Sequence, residues 1–148
     1  MLYRILLFVH LASVITWVGG MVFALFCLRP AAGALPPPQR IRLMQQAMGH
    51  FLSLVSAAVG LILLTGVTMI VLSGLKSLPV AWFVMIGTGV AMMAIFGHLR
   101  VAPYKRLGVF VDAQDWPAAA AQLNQIRVMV MVNLVLGFVI VAAMKIGV

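Results

Sequence analysis

The sequence predicts an all-α, polytopic membrane protein: a bundle of four transmembrane helices with both termini on the external, periplasmic side. Hydrophobic residues make up 65% of the 148 positions and charged residues only 8%, whereas soluble domains carry about a quarter charged residues. The apolar residues also fall into four runs close to the length of about 20 residues that crosses a bilayer. These runs use most of the chain, so a single domain spanning residues 1–148 is expected.

The four runs predict helices at approximately 5–28, 38–73, 80–102 and 117–145. The first run is longer than the apolar segment of about 7–15 residues in a secretory signal, so we interpret it as a retained helix. Proline suits the first turn of a helix, so Pro37 or Pro38 should begin the second. The third follows a tight turn, SGLKSLP. A short interfacial helix should precede the fourth, which Asp115 can cap.

The basic residues predict the orientation. Both termini lie on one side of a four-span protein, and that side carries three Lys or Arg residues, Arg4, Lys76 and Lys145. The other side carries seven: Arg29, Arg40, Arg42, Arg100, Lys105, Arg106 and Arg127. Cytoplasmic connections are enriched in positive charge, so the seven-residue side should be cytoplasmic. The basic residues stand at the ends of spans, which favours lipid headgroups as partners and not nucleic acid.

Ionisable residues within membrane spans are functional candidates, and here they are His10, His50 and His98. A helical rise of about 1.5 Å per residue puts His50 and His98 near one level at the cytoplasmic side, and His10 about 8 Å inside the other. Neutral imidazole binds haem iron or copper. The alternative is a histidine bonded to a carbonyl or a headgroup. The two acids, Asp112 and Asp115, lie in a loop, so no acidic proton relay or carboxylate pair is expected.

The first span contains HLASVITWVGG, in which His10 and Trp17 are two turns apart and therefore on one face. Gly19 and Gly20 follow, and small residues let helices approach closely. We therefore expect this face to point into the bundle, with the imidazole buried in protein.

Small residues also precede His98 at Gly87, Ala91 and Ala94, and a similar stripe of Gly49, Ser53, Ser56 and Gly60 accompanies His50. Such stripes serve close helix packing or leave space for a flat macrocycle. Asn133 is expected to hydrogen-bond across helices.

Methionine is frequent, with eleven residues. The candidate metal ligands are His10, His98, Met92, Met93 and Met131, because thioethers and imidazole bind copper. Methionine is also a common gap-filler in apolar cores, and the chain has no MxxM or CxxC spacing.

The stretches VHLASVITWVGGMVFALFCLRPA, PPQRIRL, MIGTGVAMMAIFGHLRVAPYKRL, DAQDWPAAAAQLNQIR and NLVLG resemble the small, single-domain branch of the CopD (copper-resistance D) family. A more distant likeness, in length and four-helix layout, is to the HemJ-type protoporphyrinogen oxidases. The CopD resemblance implies a multi-pass protein of the bacterial inner membrane, linked to copper handling, with His10 and His98 on matching positions.

Three functional hypotheses follow. The first is a haem b protein with His50 and His98 as axial ligands, a membrane oxidoreductase that moves electrons between quinol and a redox partner. The second is copper binding or transport through His10, His98 and nearby methionines. The third is a structural subunit without a cofactor, its histidines merely hydrogen-bonded. A homo-oligomer is compatible with each of the three.

Overall fold

The computed structural model describes residues 1–74 and 78–147, and every regular element in that part of the chain is helical. Four described stretches are long and apolar enough to cross a membrane, Leu2–Ala32, Pro37–Ser73, Val80–Asp112 and Trp116–Ile146. The predicted all-α fold with four spans is therefore confirmed, and the side on which the termini lie stays a prediction. The elements are α1 (Leu2–Phe23), a π-helical turn (Ala24–Leu28), α2 (Arg29–Ala32), α3 (Pro37–Ser73), α4 (Val80–Val101), α5 (Pro103–Asp112), α6 (Trp116–Ala142) and a second π-helical turn (Ala143–Gly147).

The local signals for helix ends operate as the sequence predicts. Pro37 is the first residue of α3, and α5 is the short helix expected before the last span. The Asp115 carboxylate accepts a hydrogen bond from the Ala118 amide at 3.2 Å, which caps α6. Within the predicted SGLKSLP turn, residues 75–77 lie outside the described part of the chain.

The helices pack as two principal pairs, α1 with α3 and α4 with α6. The helix α6 also contacts α1 and α3, so it joins the two pairs. Trp17 of α1 meets Phe96 of α4 across the bundle, with ring centroids 5.9 Å apart and planes at 72°, the favoured edge-to-face geometry. Consecutive helices α3 and α4 do not form a packed pair of their own.

The α1–α3 contact is antiparallel and depends on one glycine of the predicted pair. A Cβ added at Gly20 would lie 2.6 Å from Cε2 of Phe51, whereas one added at Gly19 would meet no atom within 4 Å. Gly20 therefore permits the close helix approach that the sequence predicts, and Gly19 faces away from it.

The two ends of the bundle differ in character. We call the end with the chain termini the terminal end, and the end with residues 29–40 and 100–127 the basic end. The 37 residues of α3 extend about 55 Å, well beyond a hydrocarbon core of about 30 Å. Its first turns lie beside the end of the first span and the start of α6. They also pack against α5, where the Tyr104 hydroxyl donates to the Gln45 carbonyl at 3.5 Å.

Candidate functional site

His10 lies in the contact between α1 and α3, toward the terminal end. Its side chain is 9% exposed, and Nδ1 stands 2.9 Å from the Thr65 hydroxyl oxygen of α3. The buried residues of α1 recur at helical spacing along one face, namely His10, Ser13, Trp17 and Met21. The predicted inward face of the first span is thus confirmed.

The hydroxyl of Thr65 determines which nitrogen of His10 carries the proton. This hydroxyl has one proton, and its oxygen is 2.6 Å from the Leu61 carbonyl of its own helix, which accepts that proton. Toward His10 the Thr65 oxygen must then act as acceptor, so we assign the imidazole proton to Nδ1. A neutral ring protonated at Nδ1 carries its lone pair on Nε2, the form in which a histidine binds a metal ion.

Buried thioethers occupy the same faces of the two helices. Met21 is 1% exposed and follows His10 by three turns on the inward face of α1. Met69 is 4% exposed and follows Thr65 by one turn on the buried face of α3. Thioether sulfur is a soft donor that suits Cu(I). The α1–α3 contact therefore combines one imidazole with thioether side chains in an apolar surrounding.

The other two histidines have a different setting. His50 of α3 and His98 of α4 are both exposed on the outer surface of the bundle, and neither ring forms a hydrogen bond within residues 1–74 and 78–147. Arg100 of α4 links that helix to α3. Its guanidinium donates to the Ser56 hydroxyl and, at 3.3 Å, to the Leu52 carbonyl.

The small-residue stripe before His98 does share a face with it, but that face is turned outward. Gly87, Ala91 and Ala94 are exposed like His98 itself, and a Cβ at Gly87 would meet nothing within 4 Å. In the stripe beside His50, Ser53 and Gly60 are exposed as well, while Gly49 lies against the Tyr104 hydroxyl. The stripes therefore do not enclose a slot between the two histidines.

The predicted methionine ligands differ in burial. Met92 is 3% exposed, and its backbone carbonyl accepts a hydrogen bond from Asn133 Nδ2 at 3.2 Å, which confirms the cross-helix bond expected of Asn133. Met93 and Met131 are half-buried. Within the described residues no group of three or more His, Cys, Asp or Glu side chains is placed to hold a metal ion.

Sequence reasoning missed Thr65. Ionisable side chains, asparagine and methionine are conspicuous in an apolar span, whereas a threonine hydroxyl is not. A threonine in an apolar helix normally bonds the carbonyl four residues back, so Thr65 gave no separate signal. Its partner lies 55 positions away in the sequence, and no local pattern reports such a pairing.

A haem between His50 and His98 requires both rings to face a common interior space. Both rings lie instead on the outer surface, on helices that are not a packed pair. The two described cavities, one at each end of the bundle, include no histidine among their lining residues. The side chains therefore do not fit a haem enclosed within the bundle, and the axial pairing stays a prediction without structural support.

The four membrane-crossing helices define a small integral membrane protein. Its interior contains one buried imidazole and thioethers on the same helix faces, which are neutral and soft metal-binding groups. The chain belongs to the CopD family: the family model described as Copper resistance protein D matches residues 45–146. This membership links it to copper resistance, and the likeness to the HemJ-type oxidases has no support from the comparisons. Comparison with curated proteins and with solved structures finds no match. The matched range contains Thr65, His50 and His98 and begins after His10.

Proposed function

We propose that the protein handles Cu(I) within the membrane and that His10 is a ligand of the ion. The observation that carries the proposal is the hydrogen bond of 2.9 Å between His10 Nδ1 and Thr65. Ligating histidines almost always donate their second ring nitrogen to an oxygen acceptor, which fixes the tautomer and the ring orientation. His10 has this arrangement in advance, inside a family linked to copper resistance.

Met69, one turn from Thr65, is the proposed thioether ligand beside His10, and Met21, about 16 Å along α1 from His10, is a proposed relay position. Both are almost fully buried, and both lie on the helix faces that carry His10 and Thr65. Met92 is a third buried methionine, on α4, and would extend the series of thioethers toward the second helix pair. Cu(I) favours such ligands over carboxylates, and the only two acidic side chains of the chain, Asp112 and Asp115, lie at the basic end, away from His10.

The imidazole and thioether groups are uncharged, which favours a role in moving Cu(I) and not in storing it. Imidazole and thioether carry no charge, so the positive charge of Cu(I) stays uncompensated in a low-dielectric surrounding. A site of this kind holds the ion only weakly. Transient occupancy is the property that passage across or along the membrane needs.

Anaerobic titration of the protein in nanodiscs with Cu(I), against a chromogenic competitor, tests the proposal. We expect His10→Ala to weaken Cu(I) binding by at least about 10-fold, as loss of metal-site residues does. His98→Ala is the matched control, because it removes an imidazole of the same chain from an exposed position. Equal loss in the two variants, or none in His10→Ala, would contradict the proposal.

The visible spectrum of the same samples, before and after dithionite, tests the haem b hypothesis and the associated electron transfer to or from quinol. A Soret band that His50→Ala or His98→Ala removes would establish those residues as axial ligands. We expect no such band. A colourless sample in which His10→Ala alone lowers the copper content supports the copper proposal.

The orientation proposal follows from the charges, because the positive-inside rule places the basic end in the cytoplasm. A reporter fused to the carboxyl terminus, active only in the periplasm, is then expected to be active in a bacterial host. An inactive periplasmic reporter with an active cytoplasmic one would reverse the orientation.

A further inference from the structure

A cavity of about 360 Å³ opens at the basic end, where the end of the first span meets the first turns of α3 and the first half of α6. Its deeper wall is apolar and includes the buried side chains of Ile41, Met48 and Val130. The volume falls in the range of small-molecule sites, about 300 to 1,000 Å³. This cavity is remote from His10, which lies toward the opposite end of the bundle.

Three arginines line the cavity, one from each of the helical segments that form it: Arg29, Arg40 and Arg127. The charges of Arg40 and Arg127 lie close enough to Arg29 to repel its guanidinium. Within residues 1–74 and 78–147, none of the three guanidiniums donates a hydrogen bond to a protein group or forms an ion pair. Three guanidiniums thus converge without a counter-charge from the protein.

The rest of the chain cannot supply that counter-charge. Its only acidic side chains are Asp112 and Asp115, both of which are exposed at the connection between α5 and α6, and Asp115 already caps α6. Two other arginines of the basic end have protein partners: Arg42 lies 5.4 Å from the Trp116 ring centroid, and Arg100 bonds to α3. Arg106, exposed on α5, has no side-chain partner among the described residues. The unpartnered arginines are therefore concentrated at the cavity.

We propose that this cavity binds an anionic phospholipid, with the lipid phosphate between Arg29, Arg40 and Arg127. Guanidinium groups pair with phosphate through two parallel hydrogen bonds, and basic pockets between transmembrane helices are a recurring site for acidic headgroups. The cavity lies where the spans end, at the level of the headgroups. The apolar wall of Ile41, Met48 and Val130 receives the beginning of an acyl chain, which free phosphate would leave uncovered.

Native mass spectrometry in detergent, with phosphatidylglycerol titrated against phosphatidylcholine, tests this inference. We expect the wild type to retain phosphatidylglycerol preferentially. A basic residue near a lipid surface contributes enough for about a 5-fold change in affinity, so the double variant Arg40→Gln/Arg127→Gln should weaken binding about 25-fold. The matched control, Lys105→Gln/Arg106→Gln, removes two charges from exposed positions on α5 and should change the affinity by less than about 3-fold.

Each outcome decides the proposal. Equal losses in the two double variants would show a general charge effect and overturn it, as would equal affinity of the wild type for the two lipids. Displacement of phosphatidylglycerol by millimolar inorganic phosphate would assign the site to a soluble anion instead. If the glutamine variant does not fold, Arg40→Lys/Arg127→Lys keeps both charges and removes the planar guanidinium. That variant should still lose binding by several-fold, and unchanged binding would overturn the proposal.

Discussion

The α1–α3 pair and the α4–α6 pair each contain a buried polar side chain that bonds across the contact, and the two acceptors differ in kind. In the first pair His10 bonds to the side chain of Thr65. In the second, Asn133 Nδ2 bonds to the backbone carbonyl of Met92, and its buried Oδ1 has no hydrogen-bond partner within the described residues. A side-chain acceptor can be removed by one substitution, whereas a backbone acceptor cannot. The bond between His10 and Thr65 therefore holds the imidazole ring in one orientation.

The close contact between α1 and α3 gives the largest expected effect. Gly20→Ala would place a methyl group 2.6 Å from a ring carbon of Phe51. Overpacking of this kind costs typically 1–3 kcal/mol, and the aromatic ring leaves little room for adjustment. We expect a loss of about 2 to 3 kcal/mol in the free energy of unfolding, measured by chemical denaturation in bicelles.

Gly19→Ala is the matched control for this substitution. The neighbouring position is open, with no atom within 4 Å of an added Cβ, and alanine has the higher helix propensity, by up to about 1 kcal/mol. We expect unchanged or slightly raised stability. A similar loss in both variants would mean that α1 is sensitive to any added methyl group, and the closeness of the α1–α3 contact would not be the cause.

Removal of the acceptor for His10 should have the next largest effect. Thr65→Val keeps the shape of the side chain and removes the hydroxyl oxygen that accepts from Nδ1 of the buried ring. An unsatisfied buried donor costs about 1 to 3 kcal/mol, and bonds between membrane helices fall at the lower end of such values. We expect a loss of about 1 to 2 kcal/mol in unfolding free energy together with weaker Cu(I) binding.

Thr65→Ser removes the methyl group and keeps the hydroxyl, so it distinguishes the contributions of the two groups. Serine retains the oxygen that accepts from His10, so Cu(I) affinity should stay near the wild-type value while some packing is lost. If Thr65→Ser weakens Cu(I) binding as much as Thr65→Val does, the hydrogen bond does not position the imidazole.

The second pair has its own polar stabilisation at the start of α6, where Asp115 accepts from the Ala118 amide. The other spanning helices, α1, α3 and α4, begin without a side-chain cap. Asp115→Ala should therefore lower the unfolding free energy by about 1 kcal/mol, the usual contribution of an N-cap. Asp112→Ala removes an exposed acid of the same charge near the end of α5 and should stay within about 0.5 kcal/mol.

These contrasts show what the sequence could and could not predict. Run lengths and proline positions predicted four spans, and four described stretches are long and apolar enough to cross a membrane. Pro37 and Val80 are the first residues of α3 and α4. The inward face of α1 was also predictable, because a histidine and a tryptophan at helical spacing are unlike the surrounding hydrocarbon. Asp115 was recognisable from its position before Pro117.

The partners of each helix were not predictable in the same way. The spans carrying His50 and His98 are consecutive and bring both residues near one level, which favoured a shared site. Packing of α3 with α1 and of α4 with α6 leaves both rings on the outside. A helix that is apolar on every side gives no sequence signal for its rotation, so the stripe of Gly87, Ala91 and Ala94 could equally have faced inward or outward.

The smallest expected effect is at Asn133, the buried polar residue of the α4–α6 pair. Asn133→Leu removes the bond to Met92, whose carbonyl still accepts its own intrahelical bond within α4. It also removes the buried Oδ1 that lacks a partner, so the two contributions nearly cancel, and we expect a change within about 0.5 kcal/mol. Asn133→Ala is the companion variant, in which the cavity left behind should cost more than the polar change itself. If Asn133→Leu destabilises as much as Thr65→Val, Oδ1 has a partner in the membrane, and the two helix pairs hold their buried polar groups by equally specific contacts.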